Sequence, residues 1–203
     1  MRIYACASPS HWGLAQGWLR SCAKDPMIEP VLSRIDIPSD GDYANAEWKG
    51  INEAGSLRMR SIFVANKGRI IGTSGVDVRY IRPFVSEIEG LMAGRDVLLQ
   101  REYADGSLFN PDVAFWRCSW GLVSAWERWV ALLGSWEGHL AGQNALMRQA
   151  FKGLRVGLLP VRYAATMNGG AELDPVLFHA NWTPPPGSVG KKLAALAKYE
   201  VAS

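Results

Sequence analysis

A single carboxylate stands where a predicted core strand ends. The segment "IIGTSGVDVRYIRPF", residues 70–84, begins as a hydrophobic run and breaks into small residues before Asp77. Arg58 lies upstream, on the predicted helix that leads into this strand. A carboxylate at a strand end suits a divalent cation, and an arginine on the preceding helix suits a phosphate group. A turn acid and a solvated helix charge explain the same two residues, so both interpretations stay open.

A second group of candidate residues lies near the C-terminus. The stretch "FHANW" ends a predicted strand, and "GSVGKK" follows it after a proline-rich loop. His179 is a candidate metal ligand, Gly190 lets the backbone approach an anion, and Lys191 supplies positive charge. A nucleoside triphosphate loop needs four residues between its glycines and a Ser or Thr after the lysine, which this stretch lacks. A hydrogen-bonded structural histidine is the alternative interpretation of His179.

The elements that must position these residues follow from hydrophobic periodicity. Runs with a period of two alternate with segments of helical spacing, which predicts an α/β sheet with helices on both faces. We predict a cap at Ser86 paired with Glu89, a helix interruption near Gly55, and a loop over residues 183–192. The predicted strands are 1–8, 28–37, 68–74, 95–103, 112–119, 154–158 and 175–182, and the predicted helices are 11–24, 46–66, 84–94, 121–133 and 140–151.

Ligands of open α/β sheets collect at the carboxyl ends of the strands. Four polar residues follow or end predicted strands: Ser8, Asp77, Gln100 and His179. We therefore expect these four side chains to share one cleft.

Composition narrows the class of protein. The chain has 203 residues, 48% of them hydrophobic and 20% charged, which predicts one domain over residues 1–203 with a real core. No run has the length of a membrane helix and no apolar signal segment is visible, so we expect a cytoplasmic protein with no membrane span. A net charge of +3 with scattered basic residues argues against nucleic acid as a partner. The three cysteines form no metal or thiol-exchange motif and are expected to be reduced.

Taken together, these motifs resemble the GT-A nucleotide-sugar glycosyltransferases, especially the small retaining type and related viral and capsule-polysaccharide enzymes. The resemblance is a pattern of spaced motifs over most of the chain. It implies a GT-A, Rossmann-like fold with a central, mostly parallel sheet, a UDP- or GDP-sugar donor, and a glycan or other hydroxyl acceptor. It also implies Mn²⁺ or Mg²⁺ on Asp77 and His179. The nucleotide and diphosphate contacts that it implies are Ala7, Ser8, Lys49, Arg58, Gly190 and Lys191.

Two acids of the family pattern are glycines in this chain. Gly75 stands where the first acid of the D-x-D motif is expected, and Gly142 stands before Gln143 in place of an acid. Gln143 is nevertheless expected near the sugar. Glu102, in the "QRE" segment, and Asp112, at a position that is usually small in the family, are the acids that we expect to act as base or sugar contact. Asp174 ranks below them.

Two functional hypotheses follow. The first is a metal-assisted glycosyltransferase, in which the ion and lysine neutralise the departing diphosphate. The second is a nucleotide- or glycan-binding module that keeps the fold without turnover, which Gly75 and Gly142 motivate.

Overall fold

The computed structural model describes residues 1–37, 46–135, 140–167, 174–181 and 187–200, and only the backbone of residues 46–49, 135 and 140. Strands and helices alternate along most of the chain, as the periodicity predicts. The strands are β1 (Arg2–Ala7), β2 (Glu29–Arg34), β3 (Ile70–Thr73), β4 (Val78–Tyr80), β5 (Val97–Arg101), β6 (Phe109–Arg117), β7 (Val156–Leu158), β8 (Ala165–Thr166) and β9 (Leu177–His179). The helices are α1 (Trp12–Cys22), α2 (Ala46–Ala65), α3 (Val85–Leu91), α4 (Trp120–Leu132), α5 (Leu140–Ala150) and α6 (Ser188–Glu200).

The central sheet has six strands in the order β2-β1-β3-β6-β5-β7. Strands β1, β2 and β3 are mutually parallel, and β5 is parallel to β7. Strand β6 is antiparallel to both of its neighbours, β3 and β5. Five of the six strands therefore run in one direction, which confirms the predicted α/β sheet of mostly parallel strands.

Alternating side chains give this sheet a hydrophobic core on each face. On β6, Val113 and Phe115 pack in one core, while Ala114 and Trp116 pack in the other. Helices α1, α3 and α6 cover the first face, and α2, α4 and α5 cover the second. Because successive strand residues point to opposite faces, the period of two builds both cores at once.

A second, three-stranded sheet in the order β4-β9-β8 lies beside the central one. Strand β9 pairs antiparallel with β4 and parallel with β8. This sheet joins the middle of the sequence to its C-terminal third. Its pairing of β4 with β9 brings the candidate residue Asp77, next to β4, close to His179 on β9.

Three local predictions are wrong. The tail loop ends early, because Gly187 has a φ of 78° and residues from Ser188 onwards form α6. Helix α2 runs through Gly55 without interruption, since a helix packed on both a sheet and a neighbouring helix tolerates an internal glycine. The helical spacing of four tryptophans predicts core positions, but Trp12 is exposed, whereas Trp18, Trp126 and Trp129 are buried.

The predicted Ser86 cap of α3 is also wrong, because the helix starts two residues earlier, at Val85, and a distant carboxylate caps it. Phe84 occupies the N-cap position and makes no side-chain cap bond. Asp25 Oδ2 instead accepts from the backbone N–H groups of Phe84 and Val85, at 2.8 and 2.9 Å. Its Oδ1 accepts from Met27 N at 3.0 Å. Asp25 thereby satisfies N–H groups of a helix that is far away in sequence.

Replacing Asp25 by alanine is expected to lower the free energy of unfolding by about 2 kcal/mol, because two N–H groups at a buried helix start lose their acceptor. Urea denaturation at pH 7 measures the change. Asp36→Ala is the control, since the Asp36 side chain is 75% exposed and pairs with Arg34 at the surface. An Asp25→Ala protein as stable as this control would contradict the capping role.

The stabilisation that Asp25 provides by capping α3 depends on pH in a defined way. Burial opposes ionisation of Asp25, but the N–H groups of Phe84, Val85 and Met27 outweigh it and lower its pKa. The folded-state pKa lies below the unfolded value of about 3.9, so the stabilisation is complete above that value. It is lost as the pH falls through the lower folded-state pKa.

In the described part of the chain, no helix combines the length and apolar character that crossing a lipid bilayer requires.

Candidate active site

Asp77 lies in the tight turn that joins β3 to β4. The N–H of Val78 donates to Gly75 O at 3.3 Å, which closes the turn, and Ala180 N donates to Asp77 O at 2.9 Å. Trp18 Nε1 donates to Ser74 Oγ at 3.1 Å and so fixes the residue before the turn. The lone acid is thus held on both sides, and it is 8% exposed.

His179 ends β9, directly opposite the start of β4. The register pairs Val78 with His179, which places the imidazole beside Asp77. His179 Nε2 lies 3.4 Å from Asp77 Oδ1. The two residues that the sequence analysis proposed as metal ligands therefore meet in one place.

Gln100 orients the imidazole. Gln100 Nε2 donates to Tyr163 O at 2.8 Å, so its Oε1 is left to accept from His179 Nδ1 at 2.9 Å. A hydrogen on Nδ1 leaves the lone pair of neutral His179 on Nε2. That nitrogen has no hydrogen-bond partner, although the residue is 0% exposed. In this tautomer, neutral His179 presents a buried lone pair beside the Asp77 carboxylate.

Lys192, on α6, supplies a cation at the same point. Its Nζ donates to Asp77 Oδ2 at 2.6 Å, and the two side chains are only 16% and 11% exposed. Burial opposes ionisation of Asp77, but Lys192 and His179 outweigh it and hold its pKa well below the usual range. Burial likewise opposes charge on His179, yet Asp77, Asp112 and Glu102 raise its pKa. The Asp77 carboxylate is therefore in a position that suits a bound positive charge.

The active-site cluster consists of Asp77, His179, Gln100 and Lys192. A cavity of about 190 Å³ opens beside this cluster. The residues that line it include one carboxylate, Asp112, and one cation, Arg58, together with Gln143 and tryptophans of the second core. Asp112 also faces the cluster, because its Oδ2 lies 3.8 Å from His179 Nε2. Its side chain is 51% exposed. Desolvation by the surrounding protein nevertheless raises the pKa of Asp112, and the charge of Asp77 adds to this effect. Asp112 marks the border between cavity and cluster.

Glu102 lies behind the cavity and is not among its lining residues. Its two oxygens accept from Asn110 Nδ2 at 3.0 Å and Asn181 Nδ2 at 2.5 Å, and the residue is 0% exposed. Burial raises its pKa. With both oxygens occupied, Glu102 is placed to position Asn110 and Asn181 rather than to reach a bound ligand.

No protein-family model and no curated protein matches the sequence. Solved structures do match. Glycosyltransferase GlyE of Streptococcus pneumoniae TIGR4 has a TM-score of 0.63 at 12% identity, with 100% of this chain covering 60% of that one. A glycosyltransferase involved in glycosylation of the major capsid of PBCV-1 has a TM-score of 0.67 at 12% identity, with coverage of 95% and 97%.

A third match is galactosyltransferase LgtC, in complex with donor and acceptor sugar analogues, with a TM-score of 0.59 at 11% identity and coverage of 98% and 95%. The chain has a GT-A glycosyltransferase fold. It spans 60% of the length of GlyE and nearly all of the other two proteins.

Within this fold, the residues predicted to contact the nucleotide and diphosphate differ in burial and position. Ala7 and Ser8 are buried at the end of β1. Gly190 and Lys191 are exposed in the first turns of α6, and Lys192, one residue on, is the lysine that reaches Asp77. The side chain of Lys49 lies outside the described residues.

His11 was not predicted as a site residue, but it lies beside Ser8. Its Nδ1 lies 2.9 Å from Ser8 Oγ and 3.1 Å from Ser10 Oγ. Burial lowers the pKa of His11, and the Lys192 ammonium lowers it further, so the imidazole faces the same cluster in its neutral form. The signal was the short "SPSH" stretch, which puts a histidine three residues after Ser8 and within reach of its hydroxyl.

The donor set fits a hard cation shared with a substrate. Two ligands at right angles around an ion with bonds of about 2.1 Å lie about 3 Å apart. Asp77 Oδ1 and His179 Nε2, at 3.4 Å, approach that separation. Among the described residues, no three His, Cys, Asp or Glu side chains form a ready-made ion cage. A site of this kind suits Mg²⁺ or Mn²⁺ bound together with phosphate oxygens, because these ions commonly take few protein ligands.

Proposed function

We propose that the protein is a glycosyltransferase that takes a sugar from a nucleoside diphosphate sugar, with uridine or guanosine as the base, and passes it to a hydroxyl of a glycan or other acceptor. The observation that supports this most is the buried His179 Nε2, which has no hydrogen-bond partner and faces Asp77 beside a cavity lined by Arg58 and Gln143. The shared fold supports transfer chemistry in general.

Each residue of the site has a task in this proposal. Asp77 and His179 would hold Mn²⁺ or Mg²⁺, and the ion would neutralise charge on the departing diphosphate. Lys192, on Asp77, and Arg58, in the cavity wall, would bring positive charge to the phosphates. Gln143, at the cavity wall, offers amide groups to sugar hydroxyls. Gln100 keeps the imidazole in the tautomer with its free lone pair on Nε2.

Calorimetric titration with uridine and guanosine diphosphates tests the proposal. We expect one of them to bind, and to bind more tightly when Mn²⁺ is present, because phosphate oxygens and the two protein ligands complete the coordination of the ion together. Absence of binding by both nucleotides, with and without Mn²⁺, would contradict it.

The alternative is a module that binds the donor without turning it over. Residues 75 and 142 are glycines, where active enzymes of the family have acids. Among the described residues that line the cavity, the carboxylate is Asp112. The loss of the two acids favours this alternative. Release of free sugar from a bound donor distinguishes the two. A measurable hydrolysis rate excludes the inactive module, and binding with no release supports it.

A further inference from the structure

We propose that Asp112 is a third ligand of the cation, reaching the ion from the strand opposite Gly75. This inference rests on the proposed function, since it concerns the ion of that site. It assigns Asp112 to the ion rather than to proton transfer. Three observations carry it: strand register, the direction of the Asp112 carboxylate, and the unpartnered nitrogen of His179.

Strand register places residues 75 and 112 face to face. Strands β3 and β6 are antiparallel, with Gly72 opposite Phe115 and Thr73 opposite Ala114. Continued by two residues, the register sets Gly75 opposite Asp112. A Cβ atom built on Gly75 would lie 3.7 Å from Asp112 Cβ, so the two positions direct side chains into the same space. A carboxylate missing at residue 75 is thus available from residue 112.

The Asp112 carboxylate points at the cluster. Its Oδ2 lies 3.8 Å from His179 Nε2, the atom that Asp77 Oδ1 approaches to 3.4 Å. Two carboxylate oxygens therefore converge on one buried nitrogen that donates and accepts no hydrogen bond. Two acids and an imidazole are the hard and borderline donors that Mn²⁺ accepts.

Hydrogen bonding fixes the backbone position of Asp112. Asn110 Oδ1 accepts from Asp112 N at 3.0 Å, and Asn110 is itself fixed by Glu102. The half-exposed side chain stays open to the cavity, so an ion beside it is within reach of a ligand there. Among the described residues, no three His, Cys, Asp or Glu side chains form a complete cation site without rearrangement. Lys192 Nζ also occupies one direction, at 2.6 Å from Asp77 Oδ2. The ion binds in place of that ammonium.

Manganese affinity tests the assignment without any turnover. Free Mn²⁺ is measured by electron paramagnetic resonance during titration of the protein with uridine diphosphate at saturation, for the wild type and for Asp112→Asn. We expect the variant to bind Mn²⁺ at least about tenfold more weakly, as for the loss of a group that supports a metal site. Asp174→Asn is the control, because Asp174 is exposed and pairs with Arg82.

A second variant separates ligand loss from misfolding. Gly75→Asp combined with Asp112→Gly moves the carboxylate across the strand pair and is expected to recover Mn²⁺ affinity. Asp77 Oδ1 lies 2.5 Å from the new Cβ position, but a carboxylate end can rotate away. Wild-type Mn²⁺ affinity in Asp112→Asn would overturn the inference and leave the proposed function standing. Failure of the wild type to bind uridine or guanosine diphosphate, with or without Mn²⁺, would instead overturn the proposed function.

Discussion

Replacing Lys192 by methionine is expected to strengthen binding of Mn²⁺ alone and to weaken binding of the nucleoside diphosphate. Lys192 Nζ lies 2.6 Å from Asp77 Oδ2 and competes with an ion for that oxygen. Its removal frees the carboxylate. The diphosphate, in contrast, loses a charge-assisted hydrogen bond of about 1.5–3 kcal/mol, or about 10- to 100-fold in affinity. Calorimetric titration with Mn²⁺ alone, and with uridine diphosphate in excess Mn²⁺, measures the two effects.

The opposite signs make this prediction specific. A variant that merely perturbs the fold weakens both ligands, whereas loss of a competing cation separates them. Lys198→Met is the matched control, because Lys198 lies on the same helix and contacts the rings of Phe178 and Tyr199. Mn²⁺ affinity unchanged in Lys192→Met would show that the ammonium does not compete with the ion at Asp77.

Most elements of the fold were predictable because their signals are local. The alternation in β1, the hydrophobic run of β3, and the helical spacing in α1 and α4 depend only on neighbouring residues. The cap of α3 was not predictable, because its acceptor is Asp25, which the chain brings there only through tertiary structure. Helix α6 was missed because the "PPPG" stretch before it is a strong loop signal and drew the glycine and lysines after it into the same prediction.

The candidate site was predictable in outline. Strand ends gave Ser8, Asp77, Gln100 and His179 as one group, and the structure places Gln100 on His179 and His179 on Asp77. The reason for the prediction was different from the reason in the structure. Asp77 and His179 meet because β4 pairs directly with β9, and not because both lie at one edge of the central sheet. Lys192 was not distinguished from Lys191 for a related reason. Which of two adjacent helical lysines turns inward depends on where the helix begins.

Gly17→Ala is expected to destabilise the protein by about 1–3 kcal/mol, the usual cost of overpacking a core. A Cβ atom at Gly17 would lie well inside van der Waals contact of Arg79 Nη2 and Glu200 Oε1. Arg79 is 1% exposed and cannot swing away cheaply. Its Nη1 donates to Val76 O and Val78 O at 3.1 and 3.0 Å, and its Nη2 donates to Glu200 at 2.7 Å. Moving the guanidinium would break one or more of these buried bonds.

The same helix contains the control. Gly13 lies one turn earlier on α1, and a Cβ atom there would meet no atom within 4 Å. Gly13→Ala is therefore expected to stabilise the protein by up to about 1 kcal/mol, because alanine restricts the unfolded chain and favours helix. Urea denaturation of both variants measures the two changes. Equal effects of the two substitutions would contradict the close packing of Arg79 against α1, since helix propensity alone gives both the same sign. Arg79 lies on β4, two residues after Asp77, so this packing also fixes the strand that follows the candidate metal ligand.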